Sequence, residues 1–358
     1  THETAALVQN LYSMTGPDGP VLGSFIAPTL ESTYSEAAGF LNLTYHFNSH
    51  FELQAGGRYS HNSQDATQTT TYDAQLAAIA GVVPNPQVQS GSSGQGVWTY
   101  SVAPSWHFDA NTMTYARLAT GYRPGGPNAL PPTATPAQVA QFGSYNSDKT
   151  TNVELGVRST LLDGRFSLDL AIFHVDWKDI QLLEQVAGFG INANGGTARS
   201  QGLEWNFAYL ATEGLTFQWT GAYTDAHLTS DATSIGALSG SSLPWAPKWS
   251  TGVDGEYKHA VFGGLNGFIG ATYSYVGRRN TDFGSAATPT GQLEVGSYNT
   301  YDARLGVENG HYRVTLYGKN LSDSRGITNF TQFPNAAPYT TVSVTQPLTV
   351  GMTLSAKF

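Results

Sequence analysis

The sequence predicts an all-β fold, a transmembrane antiparallel up-and-down β-barrel with short turns at one end and long loops at the other. Three observations predict it: apolar and polar residues alternate along many segments, these segments are long, and short and long connections alternate between them. Alternation with period two gives a strand one apolar and one polar face. A tilted strand needs about 9–11 residues to cross a bilayer, whereas strands of globular sheets are mostly about 5–6 residues long.

The last segment, PLTVGMTLSAKF at 347–358, shows the alternation clearly. We expect Leu348, Val350, Met352, Leu354 and Ala356 to face lipid, and Thr349, Thr353, Ser355 and Lys357 to face the lumen. Residues 1–8 are expected to be the tail of a preceding strand. The same pattern predicts about thirteen strands, at 33–47, 51–62, 95–107, 112–122, 149–161, 165–178, 197–210, 215–226, 247–259, 262–278, 297–308, 311–322 and 347–358. Neither parity is cleanly apolar in 112–122 and 262–278, so bulges or different boundaries are expected there.

The connections predict which ends of the strands lie together. Two of the short ones, Asp163-Gly164 and Asn309-Gly310, have the chemistry of tight hairpins. Long loops without regular structure are uncommon in compact soluble domains but typical of the outer face of an outer-membrane barrel. The short connections are 48–50, 109–111, 163–164, 212–214, 260–261 and 309–310, and the long ones are 63–94, 123–148, 179–196, 227–246, 279–296 and 323–346.

Composition excludes several other classes of protein. Apolar residues make up 40% and charged residues 12% of the 358 residues, against about 45–50% and about 25% in a soluble domain. The net charge of −9 and the lack of a basic patch argue against a nucleic-acid-binding protein. There is no cysteine for disulfides or thiolate metal sites, and no apolar run approaches the length of a spanning helix. A soluble β-sandwich or propeller is the alternative, which the strand length and the lack of a repeated motif disfavour.

Particular side chains are expected at particular places in such a barrel. Carboxylates at lumen parity, such as Glu52, Glu154 and Glu204, are expected to pair with Arg58, Arg158 or Arg199. Aromatic residues are expected as girdles at the strand ends, with ordinary β-propensity as the alternative explanation: Tyr45, Phe47, Phe51, Trp106, Phe108, Tyr115, Trp177, Trp205 and Tyr301. No catalytic motif is present, and a barrel enzyme would require His174 and Asp176 to lie beside a reactive serine.

Five short motifs occur in a fixed order along the chain. They are TYARLATGYRPGGPNALPP at 114–132, SDKTTNVELGVRSTLLDGRFSLDLAIFHVDWKDIQL at 147–182, NANGGTARSQGLEWNF at 192–207, LPWAPKW at 243–249 and YGKNLSDSRG at 317–326, followed by the terminal Phe358. RPGGPNALPP is expected to be a stiff, extended loop that is not regular structure, because proline lacks an N–H and fixes φ. NGGTARSQGLEW is expected to leave a glycine turn and enter a strand at Ala198, and Asn320–Asp323 to form an Asx-type turn.

Together these motifs resemble the C-terminal barrel region of TonB-dependent outer-membrane receptors, particularly the iron-complex receptor group. The resemblance covers essentially the whole chain. It implies a barrel of 22 strands preceded by a plug domain and a segment that contacts the energy-coupling protein. Residues 1–358 are then the C-terminal part of the barrel, without the plug and the first strands. A smaller closed barrel of about fourteen strands is the alternative.

The function that the resemblance implies is energised uptake, in the bacterial outer membrane, of a scarce ligand such as a ferric siderophore, with no enzymatic step. A passive pore or other non-energised barrel is the alternative. The residues expected to contact ligand are Tyr122, Arg123, Asn128, Tyr145, Arg278 and Arg279. No cofactor or metal site of the protein itself is expected. The implied partners are the ligand, the TonB complex, outer-membrane lipid and lipopolysaccharide, and the barrel-assembly machinery, to which Phe358 is expected to be part of the signal.

Overall fold

The computed structural model describes residues 2–8, 11–14, 21–74, 86–128, 130, 134–186, 189–233, 235–283, 294–332 and 340–357, and within them nearly all regular structure is antiparallel β. A single helix, α1 (Pro136–Phe142), is found in these residues. The strands in chain order are β1 (His2–Val8), β2 (Leu11–Met14), β3 (Val21–His46), β4 (Phe51–Tyr72), β5 (Gln87–His107), β6 (Thr112–Arg123), β7 (Gly126–Pro127), β8 (Ser144–Tyr145), β9 (Asp148–Leu161), β10 (Phe166–Lys178), β11 (Gln181–Val186), β12 (Phe189–Asn194), β13 (Thr197–Thr212), β14 (Leu215–Leu228), β15 (Trp249–Ala260), β16 (Asn266–Val276), β17 (Arg279–Asn280), β18 (Glu294–Val295), β19 (Tyr298–Glu308), β20 (Tyr312–Lys319), β21 (Ile327–Gln332), β22 (Thr340–Val344) and β23 (Thr349–Ala356).

The long strands form one sheet in which neighbours along the chain are neighbours in space. Its order is β1-β3-β4-β5-β6-β9-β10-β13-β14-β15-β16-β19-β20-β23, with β2 also paired to β3. This is an up-and-down meander, and it confirms the predicted antiparallel architecture. All thirteen predicted strands are present, and the expected strand tail at residues 1–8 is β1, which pairs with β3.

Three strands are much longer than predicted. Strand β3 has 26 residues, β4 has 22 and β5 has 21, about twice the length that crosses a bilayer. Pairing between β3 and β4 continues without a register shift from His46↔Glu52 to Ile26↔Tyr72. Much of the expected loop 63–94 is therefore a polar extension of the sheet beyond the predicted strand ends.

The two faces of the sheet differ as the alternation predicts. On β23 the side chains of Val350, Met352 and Leu354 are 78%, 67% and 69% exposed. Their opposite partners on β20, such as Leu316 against Met352, are apolar as well. The other parity carries the charged side chains of β15, β19 and β20. The first face points outward and the second toward the lumen. The terminal residue Phe358 lies outside the described residues.

The short turns use the side-chain chemistry that the sequence indicates. Asn309 Oδ1 accepts hydrogen bonds from the backbone N–H of His311 and of Tyr312, at 2.9 and 2.7 Å. Asn48 caps the β3–β4 turn in the same way, at 2.8 Å from the backbone nitrogens of His50 and Phe51. In the β9–β10 turn, Asp163 and Gly164 have φ of +54° and +85°, a region that glycine and aspartate tolerate better than branched residues.

Most of the predicted girdle aromatics lie on the outward face. At the short-turn end Phe47 packs between Tyr45, edge to face, and Phe51, with ring centroids 4.7 and 5.0 Å away, and Trp106 follows Phe51 at 6.2 Å. Two of the predictions are wrong. Tyr115 pairs with Gly156 and Trp177 pairs with Thr150. Both partners lie on the same face of β9 as Glu154, so both rings have lumen parity.

The predicted irregularity in 112–122 and 262–278 is found in part. Strand β16 has different boundaries, since it begins at Asn266 rather than at 262. Strand β6 pairs with β9 in one register from Asp148 to Ser159, but its ladder with β5 is interrupted between Val102↔Leu118 and Ser105↔Tyr115. A register shift that was not predicted lies between Leu210 and Thr212 of β13, next to a short turn.

The long connections contain regular structure of their own. Four short hairpins are found in them: β7–β8, β11–β12, β17–β18 and β21–β22. RPGGPNALPP is therefore not wholly irregular, because Gly126–Pro127 pairs with Ser144–Tyr145, and a two-residue edge strand tolerates proline. The expected glycine turn before β13 is confirmed, with Gly196 at φ +66° and the strand beginning at Thr197. None of the described residues belongs to a helix long and apolar enough to span a membrane.

Candidate functional site

The six residues predicted to contact ligand separate into two groups at the long-loop end of the sheet. Tyr122, Arg123, Asn128 and Tyr145 lie on or beside the connection between β6 and β9, and Arg278 and Arg279 lie just after β16. In the described structure no hydrogen bond or ion pair joins the first group to the second. The two groups also differ in what their side chains already bind.

Arg123 is engaged in an ion pair at the lumen side of β6 and β9. Its Nε lies 3.1 Å from Asp148 Oδ2, and Asp148 is only 2% exposed. The Arg123 guanidinium also donates to the backbone oxygen of Gln181 at 3.1 Å and lies 5.7 Å from the centre of the Trp177 ring. Its charge is compensated, so its evident role is to join β6, β9 and β11.

Asn128 joins two loops. Its Nδ2 donates to the backbone oxygens of Phe142 and Asn192, at 2.8 and 2.6 Å, and its Oδ1 accepts from the Asn192 N–H at 3.1 Å. Tyr145 pairs with Gly126, where a Cβ would lie 2.9 Å from the Tyr145 hydroxyl. The Tyr122 hydroxyl accepts a hydrogen bond from Asn62 Nδ2 at 3.3 Å. The side chains of Tyr122 and Asn128 thus hold strand and loop segments in place, and Tyr145 does so through its backbone pairing.

The two neighbouring arginines have opposite environments. Arg278 is exposed, and its Nη1 lies 3.5 Å from Glu294 Oε1. Arg279 is 7% exposed and forms no ion pair with any described carboxylate. Buried charges in proteins are normally paired, so the environment of Arg279 requires explanation.

Two aromatic rings and two carbonyl groups enclose Arg279. Its guanidinium carbon lies 5.4 Å from the ring centres of both Trp245 and Tyr298, a distance at which cation–π attraction acts. Arg279 Nη1 donates to the backbone oxygen of Gly277 at 3.3 Å, and Nη2 donates to that of Ile327. The site therefore gathers segments that are far apart in the sequence.

Local backbone structure presents the two rings. Trp245 has φ of +59°, which is rare for a bulky side chain, and its N–H donates to Asn280 O at 2.8 Å. Tyr298 begins β19 opposite Val276 of β16, at lumen parity. A Cβ on Gly326 would lie 2.2 Å from the Tyr298 ring, so only glycine leaves room for this ring.

A cavity of about 340 Å³ adjoins this arginine. It opens on the lumen side of the long-loop end, because Val276 and Tyr298 have lumen parity. Its lining combines apolar, aromatic and hydrogen-bonding groups: Trp245, Pro247, Val276, Arg279, Tyr298, Thr328 and Asn329. A small number of polar groups in an otherwise apolar lining is typical of ligand sites.

Sequence reasoning predicted Arg279 for this site but missed both of its rings. Trp245 lies in the LPWAPKW motif, which contributes to the resemblance but does not indicate a partner for the tryptophan. Tyr298 begins a predicted strand, and nothing in the sequence indicates that it lies beside Arg279. Thr328 and Asn329 lie in 323–346, which the sequence predicts to be a long loop.

The predicted ion pairs of Glu52, Glu154 and Glu204 with Arg58, Arg158 or Arg199 are wrong: among the described residues Glu52 and Glu154 have other partners, and Glu204 forms no ion pair. Both acids that do pair with Arg158 and Arg199 lie on β10. Asp169 stands directly opposite Arg158 of β9, and Asp176 stands directly opposite Arg199 of β13, so each acid pairs with the arginine beside it. The pairs and contacts observed are Arg58–Glu36 at 2.6 Å, Arg158–Asp169 at 3.0 Å, Arg199–Asp176 at 3.0 Å, Glu52–His46 at 3.1 Å and Glu154–Tyr115 at 2.7 Å. Arg199 moreover has outward parity, not lumen parity.

A larger charge network lies on the lumen face of β15, β19 and β20. Arg304 binds Asp254 through Nη1 at 2.7 Å and Glu256 through Nε at 2.9 Å. Arg313 and Lys258 both pair with Glu308. Acids and bases compensate one another here, so the network stabilises the wall and presents a hydrated polar surface.

The residues named for a barrel enzyme are also engaged. His174 Nε2 lies 3.3 Å from Asp176 Oδ1 and His174 Nδ1 lies 3.2 Å from Gln201 Oε1. In the described part of the chain no serine hydroxyl shares a hydrogen bond with His174. Nor do three or more histidine or carboxylate side chains meet there in a group that could hold a metal ion.

Comparison with known proteins places these features in a family. A family model described as "TonB dependent receptor-like, beta-barrel" matches residues 4–321. The pesticin receptor of Yersinia enterocolitica is 24% identical over 305 residues, which is 84% of this chain and 41% of that protein. The metal-pseudopaline receptor CntO of Pseudomonas aeruginosa is 33% identical over 160 residues, 44% of this chain and 21% of that protein.

A solved structure shows the same fold. The crystal structure of the ferric yersiniabactin uptake receptor FyuA from Yersinia pestis superposes with a TM-score of 0.76 and 22% identity, over 95% of this chain and 48% of that one. The chain thus spans less than half the length of these relatives.

Proposed function

Because the chain belongs to the TonB-dependent receptor β-barrel family, and is therefore an outer-membrane barrel, we propose that it is part of a receptor that takes up a scarce metal chelate, with a ferric siderophore the first candidate. The relatives named for a ferric chelate and for a metal–pseudopaline complex support this class of ligand. Capture and release of an intact chelate need no bond of the ligand to be made or broken.

The cavity beside Arg279 is the observation that carries the proposal. It lies at the long-loop end, on the lumen side, and its lining comes from four segments that meet only in the folded protein. Such a position suits a ligand that arrives between the outer loops and leaves through the barrel. Arg278 lies next to it, exposed. Tyr122, Arg123, Asn128 and Tyr145 then act indirectly, by fixing the neighbouring loops.

Energised uptake through the TonB complex is part of the proposal. The plug and the coupling segment that such uptake requires would belong to the full-length receptor outside residues 1–358. Lipid and lipopolysaccharide would surround the outward face, and the assembly machinery would recognise the final strand with Phe358. The second candidate is a passive pore, for which the hydrated charge network on the lumen face is the favouring observation.

Uptake by whole cells separates the two candidates. Cells that express the full-length receptor are supplied with a panel of radiolabelled ferric chelates, with and without a functional TonB protein. Energised transport predicts that one chelate binds in both strains and accumulates only with TonB. Equal accumulation in both strains, together with ion conductance by the purified receptor in planar bilayers, would establish the passive pore.

A further inference from the structure

We infer that the cavity beside Arg279 (lined by Trp245, Pro247, Val276, Arg279, Tyr298, Thr328 and Asn329) binds a carboxylate group, and hence that the chelate taken up bears a free carboxylate. The inference rests on the proposed function and adds to it the chemistry of the ligand. Its observations are a buried charge without a counter-ion, donors left over on that charge, and a shaped cavity at its side.

The charge of Arg279 is not compensated by any carboxylate among the described residues. No described carboxylate lies within 4.0 Å of its guanidinium, and the nearest acids in the sequence are engaged elsewhere. Glu294 pairs with Arg278 at 3.5 Å, and Asp282 Oδ1 accepts from the Phe283 N–H at 2.7 Å. The neighbouring stretches 284–293 and 333–339 contain neither Asp nor Glu. A buried charge is costly unless it is paired, so its partner is an anion outside the described residues, and we infer that the ligand supplies it.

The guanidinium has donors to offer that anion. Arginine carries about five N–H donors and no acceptor, and the backbone oxygens of Gly277 and Ile327 take one bond from each of two nitrogens. Two bonds leave about three of the five N–H donors on a planar group that two rings flank. Planar carboxylates pair with such an edge through two parallel hydrogen bonds.

The walls of the cavity suit a carboxylate on a larger molecule. Trp245 and Pro247 supply an apolar surface. Thr328 and Asn329 supply the polar part of the lining, in which the Thr328 hydroxyl donates to Ser343 O at 3.2 Å and Asn329 Oδ1 accepts from the Phe330 N–H at 2.9 Å, so the Asn329 amide NH₂ is the donor left for a ligand. The volume of about 340 Å³ is at the small end of ligand pockets. It accommodates one arm of a chelate rather than the whole.

Strain at the site points in the same direction. Trp245 adopts a left-handed backbone conformation, with φ of +59°, and such residues cluster at ligand clamps where the strain serves a function. The alternative is a staple, in which Arg279 only ties the segment after β16 to Ile327. A staple has no reason to respond to an added anion.

Hydrogen exchange in the presence of citrate tests the carboxylate site. The purified full-length receptor is titrated with citrate at constant ionic strength, set with sodium chloride, and exchange is followed in the segments around Gly277 and Ile327. We expect citrate to slow exchange in both segments and its neutral trimethyl ester to have no effect. If citrate slowed exchange no more than its trimethyl ester does, the inference would be overturned, since a staple predicts no effect of either compound.

Matched variants assign the effect to one side chain. Arg279→Gln is expected to lower the affinity for citrate, measured as the concentration that gives half of the full protection, at least about tenfold. This is the loss typical of hydrogen bonds to a charged group. Lys248→Gln removes an exposed charge three residues after Trp245 that does not line the cavity, and it should leave the protection intact. Arg279→Lys, which keeps the cation without the fork, should give an intermediate affinity even if Arg279→Gln loosens the loop. Equal loss in Lys248→Gln, or full protection in Arg279→Gln, would refute the assignment.

The test is independent of uptake. If citrate protects through Arg279 but no chelate accumulates in cells, the carboxylate site stands and the proposed function fails. If a chelate without any carboxylate accumulates through TonB, and Arg279→Gln does not reduce its uptake, the function stands and the carboxylate inference fails.

Discussion

Asn320 is the residue that closes the base of the last long loop. It is 4% exposed, has φ of +50°, and follows β20 directly. Its Oδ1 accepts from the Ser324 N–H at 2.9 Å. Asn320 therefore organises the turn that the NLSD sequence indicated, but through a bond four residues on and not through the bond two residues on of an Asx turn. Its Nδ2 additionally donates to the backbone oxygens of Ser324 and Gln346, at 2.9 and 2.7 Å. The second function, a clamp between the two ends of the loop, was not visible in the sequence.

Asn320→Asp separates the turn from the clamp. Aspartate keeps the acceptor for Ser324 but places an oxygen where Nδ2 meets two carbonyl groups. We therefore expect Asn320→Asp to lower the free energy of local opening by about 1–3 kcal/mol, as much as Asn320→Ala does, because buried acceptors lose their donor. Amide hydrogen exchange at Ser324 and Leu348 measures the change.

Asn309→Asp is the matched control. In the β19–β20 turn the side chain of Asn309 is used as an acceptor, from His311 and Tyr312, and aspartate preserves this use. Its effect on exchange in that turn should be small. If Asn320→Asp proved equally harmless, the clamp would not matter and Asn320 would be a turn residue only.

Two other residues show why the sequence does not distinguish an arginine in an ion pair from an arginine in a binding site. Arg123 and Arg279 both follow a predicted strand and precede a loop, so the sequence predicts ligand contact for both. Asp148 neutralises Arg123 because β9 returns directly alongside β6. No acid faces Arg279 in the described structure. Its neighbours are Trp245 and Ile327, which are far apart in the sequence, so no local pattern indicates that they meet.

At the scale of the element, the final strand β23 tests the two faces of the wall. Met352 and Thr353 are adjacent, yet Met352 pairs with Leu316 on the outward face and Thr353 pairs with Thr315 on the lumen face. A charge on the outward face near the middle of the bilayer costs about 2–4 kcal/mol. The same charge on the lumen face remains hydrated beside polar groups.

Met352→Lys is therefore expected to lower the free energy of unfolding by about 2–4 kcal/mol, whereas Thr353→Lys should change it by less than about 1 kcal/mol. Refolding into lipid vesicles, followed by the heat-dependent shift in electrophoretic mobility and by titration with denaturant, measures both. Equal losses for the two substitutions would contradict the assignment of faces.

The elements that the sequence predicted well are those that cross the membrane. Segments such as 149–161 and 215–226 alternate because lipid and water select opposite residues on their two faces, and these strands were found within about two residues at each end. The upper parts of β4 and β5 escaped prediction. Residues 63–72 and 87–96 are mainly Ser, Thr, Gln and Gly, because water lies beyond the membrane on their outward face and no alternation is required.

The loop hairpins escaped prediction for a related reason. Strands β17, β18, β7 and β8 have only two residues each, too few for any period to appear. Their positions are fixed by side chains from distant segments, as Asn128 fixes Phe142 and Asn192. The candidate site is made of such loops, so position in the chain indicated where it lies but not which residues form it.

On the scale of the whole molecule, the wall and the loops are separate structural units. Strand pairing holds the wall together on both sides of every internal strand, whereas the loops are held by clamps at their bases. The base of the last loop is already closed, since Thr345 N–H donates to Gly326 O at 2.8 Å and Asn320 binds both sides. Removal of the distal part should therefore leave a closed end.

Replacement of residues 327–344 by Asn-Gly tests this separation. A two-residue turn of this kind suits the Gly326–Thr345 hydrogen bond that remains. We expect the truncated receptor to assemble, and to unfold at the same denaturant concentration as the wild type, because β20 and β23 keep their pairing. It should lose chelate binding, since Thr328, Asn329 and the Ile327 carbonyl leave the Arg279 site. Retention of full binding affinity would place the ligand elsewhere, and failure to assemble would show that the loop is part of the wall.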